Sequence, residues 1–98
     1  MKIREWLTNT YNESPYSGIL RPKLICEDGF TISIQASAWH YCTPRATFQD
    51  GKMYTALELG FASIKDELIE DYRDGTVYPY VPVELVDKLL EKHGGIAV

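Results

Sequence analysis

No apolar run in this chain approaches the roughly 20 residues that a helix needs to cross a bilayer. Glu5 and Thr8 also interrupt the start, where a secretory signal would have its apolar centre. Neither membrane insertion nor export is expected, and the protein reads as intracellular. Cysteine is scarce: Cys26 and Cys42 are the only two, and in a reducing cytosol such a pair is expected to remain as free thiols. Together with His40 and His93 they match no zinc-ligand spacing, because close pairs at both ends are missing. A glycine-rich phosphate loop is missing too. Gly94-Gly95 follows a helical pattern instead of preceding one, which argues against the standard nucleotide folds. No cofactor or metal is therefore expected.

Positive charge is short in one half. Residues 1–52 carry six basic and five acidic groups and residues 53–98 four basic and nine acidic, so the net charge of −4 arises in the second half. A nucleic-acid backbone would be repelled there, since phosphate binding needs a concentrated basic surface. What is present, at 45% apolar and 24% charged residues, is the composition of an ordinary globular domain. A chain of 98 residues supports one core. Residues 1–98 show no repeat, linker or low-complexity tract and read as a single domain.

Ile3, Trp6, Leu7 and Tyr11 recur at helical spacing, which predicts a helix over 2–11, ended by Asn12, Ser14, Pro15 and Gly18. Residues 21–27 and 30–35 read as strands joined through Asp28-Gly29, with a two-residue turn expected in which both positions take positive φ. In the second strand Phe30, Ile32 and Ile34 alternate with Thr31, Ser33 and Gln35. A third strand is expected over 53–61. Ser63 as a cap and Ile64, Leu68, Ile69 and Tyr72 on one face predict a helix closed by Asp74-Gly75. Residues 76–81 read as a strand that Pro79 confines to an edge or a bulge. Pro82 then opens a last helix with a buried stripe of Val83, Val86, Leu89 and Leu90 and a glycine C-cap. The expected order is α-β-β-β-α-β-α, an α+β domain with an antiparallel sheet of about four strands packed with helices.

Residues 35–45 crowd an indole, an imidazole, a phenol, a thiol and a guanidinium into one strand end or loop. Cys42 with His40 two residues away is the arrangement of a thiol nucleophile and its base, but no third group or oxyanion loop stands at a recognisable spacing. Arg45 can grip a phosphate or carboxylate in a bidentate contact, while Trp39, His40 and Tyr41 can stack on a planar ring, with Gln35 alongside. The same side chains can equally fill core.

Asp66, Glu67, Glu70 and Asp71 look like a solvated acidic face, either inert or a surface for a basic partner. Their like-charge i,i+4 spacings cost a few tenths of a kcal/mol. Seven tyrosines in so small a domain cannot all be buried. Tyr78 and Tyr80, in the rigid run 78–82, are candidates for a contact ribbon.

Asp28-Gly29-Phe30, the stretches 35–37 and 42–45, Leu59-Gly60-Phe61-Ala62-Ser63, residues 76–83 and residues 92–96 together resemble a family of small uncharacterised proteins. That family is encoded by phages and mobile elements of gut Firmicutes. The resemblance runs from about residue 20 onward, departs from the family at Ala62, where members tend to have proline, and carries no catalytic residue with it. It implies a phage accessory protein in the host cytoplasm, by analogy a counter-defence factor. Such a factor would sequester a nucleotide-like ligand through 35–45 or inhibit a host protein through the acidic face, and is expected to form a homo-oligomer. A cysteine-dependent enzyme and a structural phage protein are the alternatives.

Overall fold

The computed structural model describes residues 1–11 and 20–97. Residues 12–19, on which the expected end of the first helix and the placement of Tyr16 depend, lie outside the described residues. Alternation in the first half of the chain becomes strand β2, Thr31–Gln35, where Ile32 and Ile34 are fully buried. Flanking it are β1, Leu24–Ile25, and β3, Ala56–Gly60, with β4, Val77–Pro82, beside β3. The four form one antiparallel sheet in the order β1-β2-β3-β4. Helices α1, Ile3–Asn9, and α2, Val83–Lys92, complete the fold. Ile3, Trp6 and Leu7 of α1 and Val83, Val86, Leu89 and Leu90 of α2 share one core with Ile32, Ile34, Leu57, Leu59 and Val81. The radius of gyration, 12.3 Å, is close to the roughly 13 Å of a single compact domain of about 100 residues. No helix among the described residues is long and apolar enough to cross a membrane.

The α+β class and the four-stranded sheet agree with the sequence, but the helix expected near residue 64 is absent and the observed order is α-β-β-β-β-α. Ser63 does not cap a helix: its N–H donates to the Thr31 carbonyl at 2.8 Å and its Oγ accepts the Thr31 N–H at 3.0 Å. Asp66 Oδ1 accepts the Leu68 N–H at 3.0 Å, a local bond that competes with helix formation. Only a 3-10 turn, Glu70–Tyr72, follows.

The hairpin between β1 and β2 is present with a different turn. Cys26 N–H donates to the Phe30 carbonyl at 2.8 Å, enclosing a three-residue loop in which Gly29 (φ 92) has positive φ and Asp28 does not. β1 is shorter than the expected 21–27 because the backbone of Arg21 pairs with a side chain, Gln35, instead of a strand. β3 begins late because Gly51–Met53 forms a 3-10 turn packed on α1. A Cβ at Gly51 would overlap the Arg4 carbonyl and stand 2.8 Å from Leu7 Cβ, so only glycine allows this approach.

Candidate functional site

Strand β4 departs from regular pairing where Pro79 has no N–H to offer. Leu59 pairs with Tyr78 and Leu57 with Val81, which leaves Pro79 and Tyr80 opposite Glu58 alone. Such a bulge on an edge strand re-aims side chains. Tyr80 adopts φ 55, and its N–H turns to the Tyr41 carbonyl at 3.1 Å. Glu58 Oε1 in turn accepts the Tyr41 N–H at 3.2 Å. Two residues on, Thr43 bridges to Ala56 at the start of β3, its N–H donating to that carbonyl at 3.0 Å, and a cis Thr43–Pro44 bond follows.

The bulge thereby brings together two features far apart in sequence, the 35–45 segment and the 78–82 ribbon. The Tyr41 and Tyr80 rings lie 6.0 Å apart at 50°, with 44% and 46% of each residue exposed. Arg45 holds its guanidinium carbon 5.1 Å from the centre of the Tyr41 ring. A cavity of about 270 Å³ opens here, lined by Tyr41, Asp74, Pro79 and Tyr80. Asp74 arrives on a tight turn, paired through its backbone with Val77 and followed by Gly75 at φ 64.

Other members of the 35–45 segment have different fates. Gln35, expected at a ligand site, is buried: its amide accepts the Arg21 N–H and donates to the Arg21 carbonyl, each at 2.8 Å. Trp39 is 69% exposed and free to contact a partner. Ser37 Oγ accepts the Trp39 N–H at 3.0 Å and stands 2.7 Å from His40 Nδ1, so the hydroxyl and the imidazole share a hydrogen bond. Burial foremost lowers the His40 pKa; Arg21 and Arg45 push the same way, against Glu58. Cys42 is buried with its thiol directed at the Ser37 and Pro44 carbonyls, 3.2 and 3.4 Å away. Burial pushes its pKa up. These are the surroundings of an inert thiol, with the imidazole hydrogen-bonded elsewhere.

The acidic segment is not one face. Asp66, expected at a partner surface, is buried, and Tyr78 is 6% exposed and belongs to the core. Glu67, Asp71 and Asp74 are exposed, whereas Glu70 is partly buried, 4.0 Å from Arg73. Asp66 Oδ1 holds Lys92 Nζ at 3.1 Å and Oδ2 holds His93 Nε2 at 2.9 Å, while Asp28 Oδ2 meets His93 Nδ1 at 2.7 Å. Phe30 stacks on the imidazole at 3.9 Å and 9°. Burial, the largest influence on His93, lowers its pKa, but the two carboxylates together outweigh it and the net shift is upward.

This cluster and the Arg21–Gln35 pair went unseen in the sequence because their members stand far apart in the chain. The one local hint was the position of His93 immediately before a glycine C-cap. Both are structural, since their polar groups are consumed by one another. Larger grooves beside α1, one of about 590 Å³, mix Lys2 and Lys52 with Glu5, Glu84 and Asp87. There Arg4 is engaged with the Tyr54 carbonyl and Asp87 with the Ile3 N–H. Set against protein-family models, curated proteins and solved structures, the chain matches none.

Proposed function

We propose that the protein acts by binding and not by catalysis, through the face made by Tyr41, Arg45 and Tyr80. The setting follows from the family resemblance: a phage or mobile-element accessory protein in the host cytoplasm, directed at a host protein or a nucleotide-like ligand in a counter-defence role. The observation that carries the reading is the β4 bulge, which holds Tyr80 at positive φ beside Tyr41 and leaves both rings half exposed. Strain kept at a solvent-facing aromatic residue points to recognition, because aromatic anchors lose little entropy on binding.

Amide shifts of the ¹⁵N-labelled protein, titrated with nucleoside monophosphates and with basic peptides, test it. Perturbation centred on residues 39–45 and 74–81 is the expected result, and shifts confined to other surfaces sink the reading. Cys42 is expected to resist alkylation in the native protein and to react once urea unfolds it. Fast native labelling, with loss of an activity, would restore the cysteine-enzyme alternative. Self-association is a second reading, favoured by Phe61 and Ile64, which are 63% and 60% exposed. A monomer mass by light scattering at every concentration removes it.

A further inference from the structure

We infer that the Tyr41–Tyr80 cavity receives an arginine side chain of a protein partner, and not the phosphate of a nucleotide. This rests on the binding reading above and names the occupant of that site. Size is the first argument. Pockets that enclose small molecules span about 300–1,000 Å³, and the cavity, at about 270 Å³ with two half-exposed tyrosines on its wall, suits one long side chain better than a nucleotide.

Charge is the second. The lining holds one carboxylate, Asp74, and no cation. Among the described residues the Asp74 side chain makes no hydrogen bond or ion pair. Glu67 and Asp71 are also exposed, and the net negative charge of the second half of the chain favours a basic partner over an anionic one.

Ring chemistry is the third. Tyrosine faces attract cations, and the planar guanidinium both stacks on an aromatic face and forks a carboxylate, which an ammonium cannot do. Arg45 already demonstrates the first contact on Tyr41. Its role is then the reverse of a phosphate anchor: as a cation beside the cavity it weakens the attraction for an incoming arginine.

That reversal supplies the test. The ¹⁵N-labelled full chain is titrated at low salt with a short peptide of arginines separated by glycines, with its lysine counterpart, and with a nucleoside monophosphate. The arginine peptide is expected to shift the amides of Tyr41, Asp74 and Tyr80 and to bind more tightly than the lysine peptide. Asp74→Asn and Tyr80→Ala are each expected to weaken it about two- to fivefold, the scale of an exposed cation–π or ion-pair contact. Tyr80→Phe, which keeps the ring, is expected to lose less affinity than Tyr80→Ala. Arg45→Ala, which removes a cation held on the Tyr41 ring, is expected to tighten binding of the arginine peptide about two- to fivefold.

If the nucleoside monophosphate shifts these amides, the arginine peptide does not, and Arg45→Ala abolishes the effect, the arginine assignment is overturned while the binding face stands. If no probe touches the face, both readings fall. Asp74 is exposed on a turn, so its variant reports on binding even where a Tyr80 variant perturbs the fold.

Discussion

Arg21 carries an unusual share of the N-terminal structure for one surface-type residue. It is 3% exposed, and its guanidinium donates to the Leu7 carbonyl at 3.1 Å, the Ala36 carbonyl at 2.9 Å and Thr10 Oγ1 at 3.1 Å. It thus closes the C-terminal end of α1 and ties it to the strand end after β2. Burial lowers its pKa, although arginine remains charged. Removing it leaves buried carbonyls without donors, so Arg21→Ala is expected to cost about 2–4 kcal/mol in urea unfolding. Lysine, lacking the fork, should not restore the loss. Tyr80 is the opposite case. Its left-handed backbone costs about 1–2 kcal/mol for a residue with a Cβ, so Tyr80→Gly is expected to keep the unfolding midpoint near wild type while destroying the recognition face. A drop of several kcal/mol would show the ring to be core. Gly51→Ala should be far more damaging, because the atom that its Cβ meets is backbone and cannot step aside.

Among the elements, α2 shows how an ending can organise distant parts. Gly94 N–H donates to the Glu91 carbonyl and Gly95 N–H to the Leu90 carbonyl, with both glycines at φ 88. That is the paired-bond glycine cap, and it sets His93 against the β1–β2 turn. Glu27 N–H donates to the Gly95 carbonyl and Asp28 N–H to the His93 carbonyl, so cap and hairpin are docked through backbone as well as through the imidazole. The pH dependence follows from the shifts. The His93 pKa is raised, so its contribution is complete below the unfolded value of about 6.5 and is lost as pH rises through the folded pKa. Asp28, held chiefly by the Phe30 N–H and by His93, is lowered. Asp66 is also lowered, its burial being outweighed by the Leu68 N–H, His93 and Lys92. Their contribution is present above about 4 and disappears as pH falls through their folded pKa values. The clamp is therefore fullest between about pH 4 and 6.5. Urea midpoints of wild type and His93→Gln should differ most in that window and converge as pH rises. A difference that stays constant with pH would mean that the ring acts through packing on Phe30 alone.

At the scale of the whole molecule, the acidic residues of the second half are split between the interior and the surface. Asp66 is neutralised inside by Lys92 and His93, while Glu67, Asp71 and Asp74 face solvent, Asp74 on the wall of the tyrosine cavity. The exposed carboxylates, Glu84 and Glu91 of α2 included, act at a distance, and salt screens them, the Debye length falling from about 10 Å at 0.1 M to about 3 Å at 1 M. Binding of the arginine peptide is expected to weaken several-fold over that range, with the shifted amides unchanged in identity. Salt-independent binding would move the weight from charge to aromatic contact.

Periodicity and punctuation made much of this molecule legible in advance. The buried stripe of α2, its proline start and glycine end, the strand with Ile32 and Ile34 inward, and an edge strand bent at Pro79 all follow from local rules of spacing and backbone chemistry. Where those rules failed, a side chain had captured the backbone or a distant partner: Asp66 turned an expected helix into turns, Gln35 replaced a length of strand, and Gly51 docked the chain on α1. The site divided in the same way. Tyr41, Arg45 and Tyr80 were recognisable by type, as aromatic and cationic groups in rigid segments. Their meeting across the bulge opposite Glu58, with Asp74 beside them and Gln35, Asp66 and Tyr78 drawn inside, depended on pairings between residues 14 to 39 positions apart, from Arg21 with Gln35 to Tyr41 with Tyr80, whose geometry no short stretch of sequence encodes.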